Sequence, residues 1–277
     1  MDTCFICGGK ATTREHIVPK WLQNKHGLWN QRLQLPNHTT IKYGQVTIPL
    51  CATCNNEVLA PIEKRIQTQT ASDTDIWKWA LKIHYGLLHK HDFLEWDRRH
   101  PGYKMGQVLA RDDPAELDRH LSHSISGAFQ TDPSPFGSVF RFDFDSEMEF
   151  MLANLMKNPG ICINTGRRGY VVFIKDTATL NRQPSMIELY RKMCIRTHVG
   201  KMLNFFANAW MHLDRHEFHI TILMADNWIK LLDTPELVSV RPFDESLFQK
   251  LWDGFNAGRK TRIMNNEEYE ATNGILS

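Results

Sequence analysis

The chain has 277 residues, 42% hydrophobic and 23% charged, which places it with folded globular proteins and leaves room for one large domain or two modest ones. A formal net charge of +2 excludes a molecule that grips nucleic acid through bulk positive charge, and no run reaches the roughly 18–20 apolar residues of a membrane span. The charge is uneven: residues 1–72 carry eight Lys or Arg against four acids, a net of +4, and the rest carries −2. A basic first quarter suits a polyanion such as a phosphate backbone, and a small Lys-rich module kept soluble is the plain alternative.

The first predicted feature is a knuckle at Cys4-x-x-Cys7, with Gly8-Gly9 supplying a tight turn. Residues 11–16 read as a short strand ending at His16, and Lys20-Trp21-Leu22 opens a short amphipathic segment after Pro19. Residues 24–45 read as polar and irregular, broken by Gly27, Asn30, Pro36, Asn37 and Gly44. Residues 46–50 read as a strand running into a second knuckle, Cys51-x-x-Cys54, with Pro49 confining it to an edge. A helix is expected over residues 55–69, with Pro61 tolerated in its first turn.

Residues 68–75 are small and polar and read as a linker, which divides the chain into an N-terminal module, 1–70, and a larger α+β domain, 76–277. In the second part, helices are expected at residues 76–90, 114–120, 185–212 and 243–255. Strands are expected at 103–110, 125–130, 138–144 and 216–224, and residues 148–156 fit either state. Residues 161–164 and 170–175 form a predicted hairpin across Gly166-Arg167-Arg168-Gly169. The expected sheet is antiparallel or mixed.

Four of the six cysteines fall in the two knuckles, and two C-x-x-C pairs predict one closed tetrahedral Zn2+ site. The start, Met1-Asp2-Thr3, has neither basic nor apolar character, so no signal peptide and a reducing cytoplasmic setting are expected. Cys162 and Cys194 read as buried small hydrophobes. Closing the zinc site would bring the segment bearing Glu15-His16 to the one bearing Asn55-Asn56, so that a carboxylate, an imidazole and an amide converge. That set suits a second metal ion and metal-assisted hydrolysis.

Cys4-x-x-Cys7, Glu15-His16-Ile17-x-Pro19 and Cys51-x-x-Cys54-Asn55-Asn56, in this order, resemble the zinc-stabilised branch of the HNH endonucleases. The likeness covers about the first 65 residues and implies a ββα-metal core of two strands and a helix around one catalytic divalent ion. By position, the resemblance makes His16 the general base, Glu15 the acidic metal ligand and Asn55 the helix-borne ligand, with Mg2+ or Mn2+ suiting the oxygen donors. The family's middle Asn has no clear match; Asn37, His38 and Asn56 are candidates, and Asn56 is preferred because the cysteine pair fixes its place. Glu63, eight residues after Asn55, could add an oxygen ligand, although a packed or solvent-facing acid is the favoured reading there.

The expected activity is thus hydrolysis of phosphodiester bonds in DNA, with RNA as the other polymer, in a defence or mobile-element setting. The family's habit of cutting two strands with paired sites makes a homodimer a candidate partner arrangement implied by the resemblance. No membrane partner is expected. Arg14, Lys20 and Lys25 could touch phosphates or be solvated charges. Two rivals stand beside this reading: a non-catalytic zinc-ribbon adaptor for nucleic acid or protein, and a second domain that carries the main activity, signalled by a deep polar pocket beyond residue 75.

Overall fold

The computed structural model describes residues 3–35, 37–108, 115–194, 197–225 and 227–261, and the chain is α+β. The N-terminal part runs β1 (Thr13–His16), α1 (Lys20–Lys25), β2 (Arg32–Gln34), β3 (Thr40–Lys42) and β4 (Thr47–Leu50). β1 and β4 pair antiparallel, with Glu15 opposite Ile48 and His16 opposite Thr47. In this two-stranded sheet Pro49 costs no ladder bond, and its carbonyl accepts instead from the Phe5 N–H at 2.9 Å. A wide π-turn over Cys54–Leu59 then leads into α2 (Ala60–Gln67). Pro61 has no N–H for the Glu57 carbonyl, and its ring would collide with that carbonyl in a regular α-turn.

Next come α3 (Asp73–His91), α4 (Met105–Val108), α5 (Ala115–Ser124) and β5 (Gln130–Asp132). They are followed by β6 (Ser138–Asp143), β7 (Leu152–Leu155), β8 (Gly160–Asn164) and β9 (Arg168–Phe173). The chain continues through α6 (Pro184–Met193), α7 (Val199–Arg215), β10 (His216–His219), β11 (Ile222–Ala225), β12 (Trp228–Leu231), β13 (Glu236–Val240) and α8 (Glu245–Thr261).

Helix α3 is the axis of the fold. Ser72 caps it reciprocally: the Ser72 side chain accepts from the Asp75 N–H, and the Asp75 carboxylate accepts from the Ser72 N–H. Its apolar residues surround it on all sides, as expected of a helix enclosed by other elements. Gly86 lets it approach the residue that follows β1 closely, since a Cβ there would lie 3.2 Å from Ile17. The antiparallel sheet β6-β9-β8-β7 covers one flank. Strand alternation gives that sheet two buried faces: Val139, Ile161, Ile163 and Val172 join the core around α3, whereas Phe140, Cys162, Val171 and Phe173 join Phe205 and Phe206 of α7. The α3 core also takes in Ile17, Leu50, Leu59, Ile62 and Ile66 from the first 67 residues.

Several expectations are corrected. Residues 24–45 contain the antiparallel pair β2–β3, whose turn is braced by the Asn37 side chain accepting from Thr39. In the predicted strand at 103–110, Lys104 makes only an isolated bridge to Glu95 and Met105–Val108 is helical, because the Gln107 side chain accepts from the Lys104 N–H and starts the turn of α4. Residues 125–127 unwind from α5 through Gly127 at φ 78°, and only Gln130–Asp132 is strand. The long helix at 185–212 is two helices, since the His198 side chain caps α7 by accepting from the Gly200 N–H. The 216–224 segment divides into β10, paired with β13, and β11, paired with β12; β12 also pairs in parallel with β5. Pro36, the end of the 103–110 segment and Pro114 lie outside the described residues. Among the described residues no helix is long and apolar enough to cross a membrane.

Candidate functional site

The four-cysteine cluster is built by two backbone loops stitched to β4. Gly8, at φ 72°, turns the first knuckle so that the Cys4 N–H reaches the Gly9 carbonyl at 2.6 Å. Hydrogen bonds from Phe5 to Pro49 and from Thr12 to Leu50 lay this loop along β4. In the second knuckle the Cys54 N–H points at Cys51 Sγ, 3.4 Å away. The sulfurs of Cys4, Cys7, Cys51 and Cys54 lie within 4.8 Å of one another, and Cys7 and Cys51 are 3.8 Å apart. Four thiolates about 2.3 Å from a zinc ion form a tetrahedron with edges of about 3.8 Å. Burial raises the Cys4 thiol, but backbone N–H groups aimed at its sulfur outweigh that and bring it down to about 7. Burial and the neighbouring thiols push Cys54 well up. Crowded thiols that resist ionising together are the donor set a dication relieves, so the residues fit a structural metal such as zinc.

Glu15 and His16 are consecutive on β1, so their side chains leave opposite faces of the strand. On the Glu15 face lies a residue that the motif does not contain. The ammonium of Lys82, projecting from α3 and wholly buried, is 2.9 Å from Glu15 Oε1, 2.7 Å from Glu63 Oε1 and 2.5 Å from the His16 carbonyl. Glu63 is therefore turned inward, only 14% exposed, which corrects the solvent-facing alternative. Burial and the Glu15 charge raise its pKa against the pull of Lys82. Lys82 stays charged, because two carboxylates outweigh the cost of its burial. The cluster holds two acids and one cation. Asn55 is half-buried and its Nδ2 lies 3.4 Å from Thr13 Oγ1; Thr13 is two residues before Glu15 and on the same face. Asn56 is exposed.

On the other face of β1, the His16 ring lies 5.2 Å from that of Trp29. Burial lowers its pKa below 6.5, more than Glu15 and a hydrogen bond to the Gly44 backbone raise it, so the imidazole is neutral at neutral pH. Trp29 is 41% exposed, and Lys20 Nζ sits 5.7 Å above its ring. Arg14 is exposed, and Lys25 pairs with Glu147 at 2.8 Å. Of the other candidates for the middle Asn, Asn37 is engaged with Trp96 and Thr39, and His38 is exposed at φ 62°.

Lys82 and Trp29 are the site residues that motif reading missed. Nothing in the run Ile76–Leu88 separates Lys82 from Lys78, the other lysine it holds. Among the described residues, the four cysteines are the one group of three or more His, Cys, Asp or Glu arranged to hold a metal. Glu15, Glu63 and Asn55 offer two carboxylates and an amide, a hard-oxygen set with Lys82 on one oxygen of each acid. Compared with known proteins, the chain matches no family model, no curated protein and no solved structure.

Proposed function

We propose that the chain is a metal-dependent endonuclease of the HNH type that hydrolyses phosphodiester bonds in DNA. The observation that carries this reading is the pairing, on one zinc-clamped strand, of a neutral imidazole at His16 with a half-buried acid at Glu15. Glu15 and Asn55 would hold Mg2+ or Mn2+, with Glu63 in reach. Held there, a hard dication would supply charge stabilisation for the phosphate and the departing oxygen. His16 takes the proton of the attacking water, and the Gly44 backbone keeps its ring in one orientation. Lys82 holds the two acids together and reduces their repulsion, leaving the cluster one charge negative and receptive to a dication. Trp29, Lys20 and Arg14 lie on the His16 side of the strand, where a nucleic acid backbone would pass.

The test is nicking of supercoiled plasmid by the purified chain in Mg2+ or Mn2+. His16→Ala should cut about 10²–10⁴-fold more slowly with zinc content and circular dichroism unchanged. The acid limb of the wild-type rate should lie below pH 6.5, since the folded imidazole is harder to protonate. Unchanged cleavage in His16→Ala would remove His16 from the chemistry. One observation favours a second reading, a non-catalytic zinc module that binds nucleic acid or protein: Lys82 already neutralises one of the two acids. That reading expects binding without turnover under any divalent ion.

A further inference from the structure

A second site lies where the first two turns of α3 meet β5 and the turn after α5. A hollow of about 240 Å3 there, room for roughly eight waters, is lined by Thr74 and Lys78 of α3 and by Gly127, Thr131 and Ser134. Trp77 and Phe129, both buried, close its back with apolar rings. Among the described residues that line it, Lys78 is the one charged side chain and none is acidic. The ammonium sits at the Gly127 wall, 3.9 Å from where a Cβ on that glycine would stand.

Lys78 is half-buried and has neither a hydrogen bond nor an ion pair among the described residues. The acids nearest to it in the chain are taken. Asp75, one turn earlier on α3, accepts from the Arg65 guanidinium at 2.9 and 2.6 Å and from the Ser72 N–H and hydroxyl at 3.0 and 2.9 Å. Asp73 is held by Arg141 at 2.6 Å, and Asp132, next to Thr131, faces Lys230 at 3.8 Å. Burial lowers the Lys78 pKa, and the Asp75 charge that would raise it is opposed by Arg65. Hydroxyl donors are also to spare. The Thr131 side chain makes no hydrogen bond among the described residues. Thr74 and Ser134 share one bond of 3.3 Å, which leaves one of their two protons to give.

One unpaired cation with spare hydroxyls, backed by apolar rings, fits an anion. The charge count makes it a monoanion, because a dianion would keep one charge unmatched in a half-enclosed space near the Asp75 carboxylate. A phosphodiester within a polymer would have to bring both flanking sugars into the hollow, whereas a carboxylate enters end-on. We propose that the hollow binds the carboxylate of a small organic acid, one oxygen on the Lys78 ammonium and the other on a hydroxyl of Thr131 or of the Thr74–Ser134 pair. The site is independent of the nuclease reading, because it shares no residue with the Glu15–His16 strand or the four-cysteine cluster.

Calorimetric titration of the full chain with benzoate, an acid of about this size, tests it. Benzamide, its uncharged isostere, and dimethyl phosphate, a monoanion of the other class, are the comparisons. Benzoate should bind saturably with a Kd below about 1 mM, and the other two at least tenfold more weakly. Lys78→Met keeps the stem and removes the charge; it should weaken benzoate binding at least tenfold with circular dichroism unchanged, and Lys78→Gln serves if the Met variant unfolds. Benzoate should also slow acetylation of Lys78 by acetic anhydride about threefold or more, read by peptide mass spectrometry, and leave that of the exposed Lys64 unchanged. Absence of saturable benzoate binding, equal binding of benzamide, tighter binding of dimethyl phosphate, unprotected Lys78, or wild-type affinity in the variant would overturn the proposal.

Discussion

Lys82 shows how a single buried charge organises the candidate site. Its ammonium is enclosed, and its two carboxylate partners reach it from α2 and β1. Lys82→Met keeps the bulk but leaves Glu15 and Glu63 facing each other without a cation. Stability should fall by about 3–5 kcal/mol, read as a lower urea midpoint, and adding Glu63→Gln should restore part of the loss. A Lys82→Met midpoint equal to that of the wild type would contradict the ion cluster. Glu15, His16, Asn55 and the four cysteines stand out in the sequence because local spacing marks them. Lys82 does not, because its partner Glu15 is 67 residues away and nothing next to a lysine announces that it is buried. The orientation of Glu63 is not legible from its surroundings in the sequence for the same reason: its inward turn is set by a residue on another helix.

At the scale of the element, α3 and the strand β6 follow closely from periodicity, since long apolar patterns leave few alternatives. The capping box fixes where α3 begins, and the Arg65 guanidinium grips Asp75 through two bonds of 2.9 and 2.6 Å, tying α2 to the first turn of α3. This holds the Asp75 carboxyl at about 2, chiefly through Arg65. Ser72→Ala should cost about 1 kcal/mol, read from chemical denaturation, because the Asp75 N–H loses its acceptor. No change would mean that the Arg65 pair alone sets the helix start. The failures at this scale have local causes. The pattern predicts one helix where the His198 cap makes two, and one strand where β10 and β11 turn to different partners. The sequence pattern does not announce strands β12 and β13: β12 pairs with its neighbour β11 and with the distant β5, and β13 with the distant β10.

Across the molecule, one buried cluster runs from Cys4 through Ile17, Leu50 and Ile66 to Trp79, Ile83 and the inner face of the large sheet. Cys4 and Cys54 of the four-cysteine cluster lie at one end of it. Stripping the metal should therefore lower the temperature of a single cooperative transition that includes α3 and the sheet, rather than release a module that melts by itself. Calorimetry before and after chelation reads this, and two separate transitions in the zinc-loaded chain would contradict it. The cluster also explains why a polar stretch around residue 70 resembles a linker: it is exposed on the surface while its neighbours Ile66 and Ile76 are both buried.

The central claim is that the zinc-clamped strand presents a divalent-ion site at Glu15 beside Lys82. Its most direct test is electron paramagnetic resonance of Mn2+ titrated into the zinc-loaded chain, since Mn2+ does not displace zinc from thiolates. The account predicts one Mn2+ bound per chain in the wild type and loss of that binding in Glu15→Gln. A free Mn2+ signal undiminished by the wild-type protein, or the same binding in Glu15→Gln, would contradict it.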